Sequence, residues 1–321
     1  MKKVIITGAT GFVGANLTRA LLRQRHDVHL FLRFGFNPWR IADIVNDVRI
    51  HEVSLTNEEQ LTQAIKEIKP DWIFHLAVHG AYSWQSDVYK IIETNITGTV
   101  SLVCAAVKTG FEAFINTGSS SEYGYNSNAP KESDCPEPNS YYAVAKTSAT
   151  MFCSYMAKQH KVNISTLRLY SAYGPFEEPN RLIPTLIING LYGKLPVLVR
   201  PDISRDYIYI DDITDIYTLI ATKNHQSELG AIYNVGTGVQ TSLREIVEIT
   251  RAMFKINDPP VWGSMPERIW DTDIWRCDSG KLKETFLWNY RYSLEDGLKK
   301  TREWLETGGY LSKYESNCKL I

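Results

Sequence analysis

Three glycines at a fixed spacing restrict this chain more than any other feature of its 321 residues. The apolar run Lys3 to Thr7 reads as a buried parallel strand, and it passes directly into Gly8-Ala9-Thr10-Gly11-Phe12-Val13-Gly14 and then a helical stretch, Ala15 to Arg23. Glycines at this junction allow a tight turn, let a pyrophosphate approach the backbone and let the helix pack close to the strand. The start of the helix then offers free N–H groups to the anion. A dinucleotide site is the favoured reading of this context; a glycine turn in some other α/β fold is the competing one.

The chain beyond it alternates short strands with helices. Strands are expected at Val28–Leu32, Val48–Val53, Trp72–Ala77 and Ala113–Asn116, with helices at Glu58–Ile68 and about Tyr89–Lys108. Such alternation implies a parallel sheet with right-handed crossovers. Ligands of an open sheet gather at the C-terminal strand ends, where Thr117-Gly118-Ser119-Ser120-Ser121-Glu122-Tyr123-Gly124 follows one strand. A loop capped by its own hydroxyls is the plainer account of these serines. The second strand ends in Leu32-Arg33, with Arg40 nearby, where an acidic residue would usually mark NAD. A guanidinium there suits a 2′-phosphate, so NADP(H) is favoured, and NAD(H) stays open if Arg33 is an ordinary solvated charge.

Asn139-Ser140-Tyr141-Tyr142-Ala143-Val144-Ala145-Lys146 places a tyrosine and a lysine four residues apart in a helix-favouring segment. Both side chains then project from one face. The lysine charge favours phenolate and is expected to pull the tyrosine towards the working pH as a proton donor and acceptor. Surface helices also produce this spacing by chance.

Charge and cysteine content exclude several other classes. With 35 basic and 36 acidic residues, no global field favours nucleic acid or an anionic membrane. No run approaches 18 apolar residues, and Met1-Lys2-Lys3 leads into an apolar stretch too short for a signal sequence, so a soluble, cytoplasmic protein is expected. The five cysteines are scattered and the seven histidines lack ligand spacing, so no metal site is expected. His75, inside an apolar strand, reads as a hydrogen-bonded core residue.

Taken together, Gly8-x-x-Gly11-x-x-Gly14, Asp71-x-x-Phe74-His75-Leu76-Ala77, Asn95-x-x-Gly98-Thr99, the turn from Ser119 to Gly124 and Tyr142-x-x-x-Lys146 resemble the extended short-chain dehydrogenase/reductases, nearest the nucleotide-sugar epimerase/dehydratase/reductase family. Later matches are Arg168 with Tyr173-Gly174-Pro175, Arg181-Leu182-Ile183-Pro184, Arg205-Asp206-Tyr207, Tyr233-Asn234-Val235-Gly236 and Leu294-Glu295-Asp296-Gly297. The resemblance implies an α/β, Rossmann-type doubly wound parallel sheet with a smaller C-terminal substrate lobe. Residues 1–172 would form the dinucleotide domain and 173–305 mainly the substrate lobe. The polar stretch 306–321 reads as a loose tail.

By the same resemblance Ser119, Tyr142 and Lys146 are catalytic. The cofactor would lie on Gly8, Thr10, Gly11, Phe12, Val13, Gly14, Arg33, Leu76, Ala77, Tyr142, Lys146 and Tyr170. A nucleoside-diphosphate sugar would meet Ser83, Ser120, Ser171, Arg181, Arg205, Arg268 and Asp271. Nicotinamide exchanges hydride with a sugar carbon, usually C4, while Tyr142 handles the proton. A homodimer through the helices near Asn95–Lys108 and Tyr142–Met156 is implied too.

Departures from the family pattern narrow the reaction. The 4,6-dehydratases carry an Asp-Glu type pair after the catalytic hydroxyl, whereas Ser120-Ser121 stand here and Glu122 falls one residue late. Hydroxyls are poor acids and bases near neutrality, which disfavours dehydration. Ser171 replaces a family Asn, and Ser54 an adenine-side Asp. An NADPH-dependent 4-ketoreductase of a 4-keto-6-deoxyhexose is the leading expectation, the turn at Ser119 resembling that of 3,6-dideoxyhexose-forming reductases. An NAD-dependent 4-epimerase is the alternative, and a non-catalytic nicotinamide-sensing protein the reading from another class. Trp262, Trp270, Trp275 and Trp288 are expected in core or lid packing rather than as sugar platforms.

Overall fold

The structure is a computed structural model that describes residues 1–223, 228–265 and 273–317. Strand β1 (Lys3–Thr7) buries Val4, Ile5 and Ile6 completely, as a strand does when helices cover both faces of its sheet. Strands β2 (Asp27–Leu32) and β3 (Arg49–Glu52) continue to one side of it, and β4 (Trp72–His75), β5 (Ala113–Ser119) and β6 (Ile164–Leu169) to the other. A small second sheet contains β7 (Ser171–Tyr173) and β8 (Ser204–Tyr209). Strand β9 (Ile232–Val235) then returns beside β6, and β10 (Gln240–Ser242) pairs antiparallel with β8. The seven-stranded order β3-β2-β1-β4-β5-β6-β9 is the expected doubly wound parallel sheet. It reverses direction between β1 and β4, where such sheets open a crevice.

Alternation along β1 divides the interior in two. Val4 and Ile6 join the apolar cluster shared with α1 (Phe12–Arg23), whereas Ile5 joins that of α2 (Glu58–Ile68). On the α2 side, α3 (Val88–Ile92) continues through one π turn, Glu93–Thr97, into α4 (Gly98–Thr109), and α5 (Tyr141–His160) packs beside them. The stretch Val88–Thr109 is long and apolar enough to cross a membrane by length and composition; half of its most apolar window is buried within this packing.

On the α1 side lie α6 (Leu182–Leu191), α7 (Ile210–Thr222) and α8 (Leu243–Phe254), followed by α9 (Gly280–Phe286). Ser242 caps α8 with Glu245 in a reciprocal capping box. Residues of the second lobe, such as Ile183 and Leu186, belong to the same apolar cluster as β1. The lobe therefore shares its core with the main sheet.

The stretch from Glu306 is not a loose tail. Helix α10 (Leu294–Thr307) is followed by α11 (Leu311–Asn317), whose Tyr314 is buried against Trp39 and Trp304 and donates its hydroxyl to the Glu177 carbonyl. Aromatic burial anchors the segment, and the Gly308-Gly309 break hides its periodicity in the sequence.

Candidate active site

The glycine turn has the geometry its spacing implies. Gly8 has φ +70°, and a Cβ there would lie 2.5 Å from the Leu76 and Ala77 backbone; one on Gly14 would lie 2.3 Å from the Gly8 carbonyl oxygen. Substitution at either position collides with backbone. The Gly11 amide donates to the Gly8 carbonyl at 2.9 Å, and Gly11 begins α1 without a side-chain cap or an acidic residue in the first turn. The Phe12, Val13 and Gly14 amides thus remain available to an anion. Leu76 and Ala77 are pinned opposite, their amides donating to Thr7 Oγ1 at 3.1 Å each. This cradle fits the pyrophosphate of a dinucleotide.

Behind it runs a buried relay. Thr7 Oγ1 meets His75 Nδ1 at 2.7 Å, His75 Nε2 meets Thr99 Oγ1 at 2.9 Å, and Thr99 donates to the Asn95 carbonyl at 2.7 Å. With the Thr99 proton committed, Thr99 accepts from Nε2, and Nδ1 accepts from Thr7. Burial, aided by the Lys146 charge, lowers His75 to about 3 and keeps it neutral. It is the hydrogen-bonded core histidine expected. Asn95 exchanges hydrogen bonds with the His79 backbone and so holds the loop beyond Ala77.

At the adenosine side the two arginines separate. Arg33 is exposed just past β2. Arg40 is buried: it donates to the Phe176 carbonyl at 2.8 Å, to the Thr10 carbonyl at 3.4 Å and to Glu178 at 2.8 Å, with its guanidinium over the Trp39 ring. Arg40 therefore cannot serve a ribose 2′-phosphate; it ties the glycine turn to the second lobe.

Ser119 ends β5, and Tyr142 and Lys146 lie one turn apart near the start of α5, which Ser140 caps by accepting from the Ala143 amide at 3.2 Å. The Ser119 hydroxyl accepts from the Ser121 amide at 3.1 Å and lies near enough to Tyr142 to favour its phenolate. The expected lowering of the phenol by Lys146 is not present. Burial pushes Tyr142 up to about 12, the neighbouring Ser119 hydroxyl opposes this, and Glu122 and Tyr82 push it further up. Lys146 is buried as well, which lowers it to about 8 against the opposing influence of Glu122 and Cys153.

Glu122, fully buried, accepts from the Ser119 amide at 2.9 Å, Thr150 Oγ1 at 3.1 Å and Arg168 Nε at 2.9 Å. The single carboxylate of the turn is thus engaged in the interior by three donors.

The proposed substrate residues divide. Arg181, exposed at the start of α6, lies 3.8 Å from Glu177 and within the electrostatic reach of Tyr142 and Tyr82. Ser83 is exposed beside Tyr82. Ser171 lies in β7, in register with Tyr207. Ser120 is buried, and its hydroxyl accepts from Trp275 Nε1 at 3.2 Å. Arg205 places its guanidinium 5.5 Å from the centre of the same indole ring. Trp275 thus bridges the catalytic turn and the expected diphosphate arginine, a placement its assignment to core or lid packing missed. Trp262 and Trp288 pack on the core as expected. Tyr170 is buried with no hydrogen-bond partner for its hydroxyl among the described residues, and burial pushes the phenol up. Arg268, Trp270 and Asp271 lie outside the described residues.

Comparison with known proteins supplies independent findings. Residues 4–236 match the model of the NAD dependent epimerase/dehydratase family. The UDP-glucose 4-epimerase of Mycolicibacterium smegmatis is 28% identical, with 94% of this chain and 97% of that protein covered. A trifunctional UDP-glucose 4,6-dehydratase/3,5-epimerase/reductase of Arabidopsis thaliana is 25% identical over 94% of this chain, which spans 47% of that longer protein. The solved UDP-glucuronic acid 4-epimerase of Bacillus cereus, in complex with UDP-glucuronic acid and NAD, aligns with a TM-score of 0.83 at 26% identity, covering 95% of this chain and 99% of that one.

Proposed function

Because the chain belongs to the NAD dependent epimerase/dehydratase family, we propose that it exchanges a hydride and a proton at C4 of a nucleoside-diphosphate sugar without eliminating water. The observation that carries this reading is the placement of Ser119 at the end of β5 where its hydroxyl acts on the Tyr142 phenol, beside a turn whose one carboxylate is held in the interior by Arg168. Bound nicotinamide supplies the hydride acceptor or donor. Ser119 orients the sugar oxygen, and Tyr142 takes or returns its proton. Lys146, charged below about pH 8, presents a cation one helical turn away. Arg181 and Arg205 supply guanidinium forks for the sugar and diphosphate.

Two net reactions satisfy this chemistry. Reduction of a 4-keto-6-deoxyhexose by NADPH is supported by Arg33, exposed at the end of β2 without a carboxylate in its place. Epimerisation with retained NAD is supported by relatives that are named 4-epimerases. A homodimer through α3 and α5 completes the reading, on the strength of their exposed apolar side chains, whereas most of α4, included in the expected interface, is buried within the chain.

The purified protein, analysed for co-purified nicotinamide and assayed against nucleotide-linked hexoses and their 4-keto-6-deoxy forms, separates these outcomes. Loss of NADPH absorbance with a keto-sugar identifies the reductase, and conversion of a plain sugar without net cofactor change identifies the epimerase. Formation of a 4-keto-6-deoxy product from a plain nucleotide sugar would overturn the exclusion of dehydration. If Arg33 meets a 2′-phosphate, Arg33→Asp weakens NADPH binding about tenfold or more while leaving NADH nearly unchanged. Equal losses for both remove it from that role.

A further inference from the structure

Beneath the reacting hydroxyls lies an ionic pair that takes no part in proton exchange. Glu122 has no solvent exposure, and its oxygens receive three donors from three elements: the Ser119 amide in the catalytic turn, the Thr150 hydroxyl on α5 and Arg168 Nε on β6. That donor set suits a carboxylate. The packing admits little change: a Cβ on Gly118 would stand 2.6 Å from Glu122 Oε1. Thr150 follows Lys146 by one helical turn, so the carboxylate that fixes the Ser119 backbone also grips the helix carrying Tyr142 and Lys146.

We infer that Glu122 is the positioning residue of this site: it joins the Ser119 turn to the Tyr142–Lys146 helix, and its negative charge keeps the buried Lys146 an ammonium ion. The inference rests on the roles given above to Ser119, Tyr142 and Lys146. Burial lowers Lys146, and Glu122 is the largest influence opposing that. The other groups near Lys146 are Cys153 on the same helix, pushed up to about 12 by burial, and neutral His75 on β4, so neither supplies a negative charge at neutral pH. Glu122 itself faces Arg168, whose guanidinium also lies 4.5 Å from the Tyr123 ring centre, together with Tyr142, Lys146 and Cys153 on α5. Burial raises the Glu122 carboxyl, and Arg168 is the foremost group holding it ionised.

Lysine labelled with 13C at Cε reads the effect directly by NMR titration of the ligand-free protein, with the Lys146 resonance assigned by its loss in Lys146→Arg. Wild type should titrate near pH 8. Glu122→Gln keeps the acceptor oxygen and removes the charge, so the midpoint should fall by about one pH unit or more. If that variant fails to fold around an unpaired Arg168, Glu122→Gln with Arg168→Met relieves the imbalance, and its midpoint should lie about one pH unit or more below that of Arg168→Met alone. A midpoint within about 0.3 units of its reference in the folded variant overturns the inference. This holds whether or not the protein turns over a sugar. A lowered midpoint in a protein inactive on every nucleotide sugar upholds the role of Glu122 while removing the reaction proposed above.

Discussion

Tyr142 holds its proton tightly in the ligand-free protein, since burial outweighs the influence of the neighbouring Ser119 hydroxyl. As a general acid or base it is therefore set by its surroundings, and removing its hydroxyl removes the group that moves the proton. Tyr142→Phe should lower turnover by about 10²–10⁴-fold while a fluorescence titration shows cofactor binding largely intact. A loss of less than about tenfold would take the acid/base role away from Tyr142. The placement of Tyr142 and Lys146 one turn apart on a helix and the tight turn at Gly8 were legible in the sequence because spacing and backbone conformation are local. Arg40 was not, because its partners Phe176 and Glu178 lie more than 130 residues away and bury it. Trp275 escaped for the same reason, its hydrogen bond to Ser120 crossing 155 positions.

Among the elements, β1, β4 and α4 are bound by one chain of hydroxyl and imidazole groups running from Thr7 through His75 to Thr99. His75 titrates near 3 in the folded protein against 6.5 ordinarily. Between these values the unfolded chain binds the extra proton. The stability from neutral His75 is thus fully present above pH 6.5 and is lost as pH falls towards 3, by up to about 1.4 kcal/mol per pH unit. Denaturant unfolding of wild type and His75→Asn from pH 7 to pH 4 should show a shallower acid decline in the variant. Parallel curves would mean that His75 protonates as easily folded as unfolded. The strand assignment of His75 followed from its apolar neighbours. The extension of β5 from Asn116 to Ser119 did not, because glycine and serine there read as a turn; pairing with Arg168 and Leu169 of β6 draws them into the sheet.

At the scale of the whole molecule, the exposed side chains of α5 are too apolar for a solvated face. Tyr141, Val144, Met151 and Tyr155 are all exposed, the last two at 62% and 60%, and with Ser148 they recur at alternating intervals of three and four residues. Such a seam suits a neighbouring helix, and Tyr89 and Ile92 on adjacent α3 are exposed as well. An apolar patch spread over two packed helices is more than a soluble monomer ordinarily leaves in water. Its length was readable from the sequence, but its outward direction was not, since Ala145, Ala149 and Cys153 make the opposite face equally apolar. A second copy of the chain that pairs its own α3 and α5 across a twofold axis would cover both patches with the same residues. Sedimentation velocity at about 10 μM, a concentration that reveals micromolar association, should find wild type as a dimer. Met151→Glu combined with Tyr155→Lys should yield a folded monomer, because the added charges would lose their hydration at the interface. Both changes lie on the face turned away from Ser119, so circular dichroism and nicotinamide binding should stay near wild type. A wild-type monomer, or a variant that remains dimeric, would remove α5 from the interface.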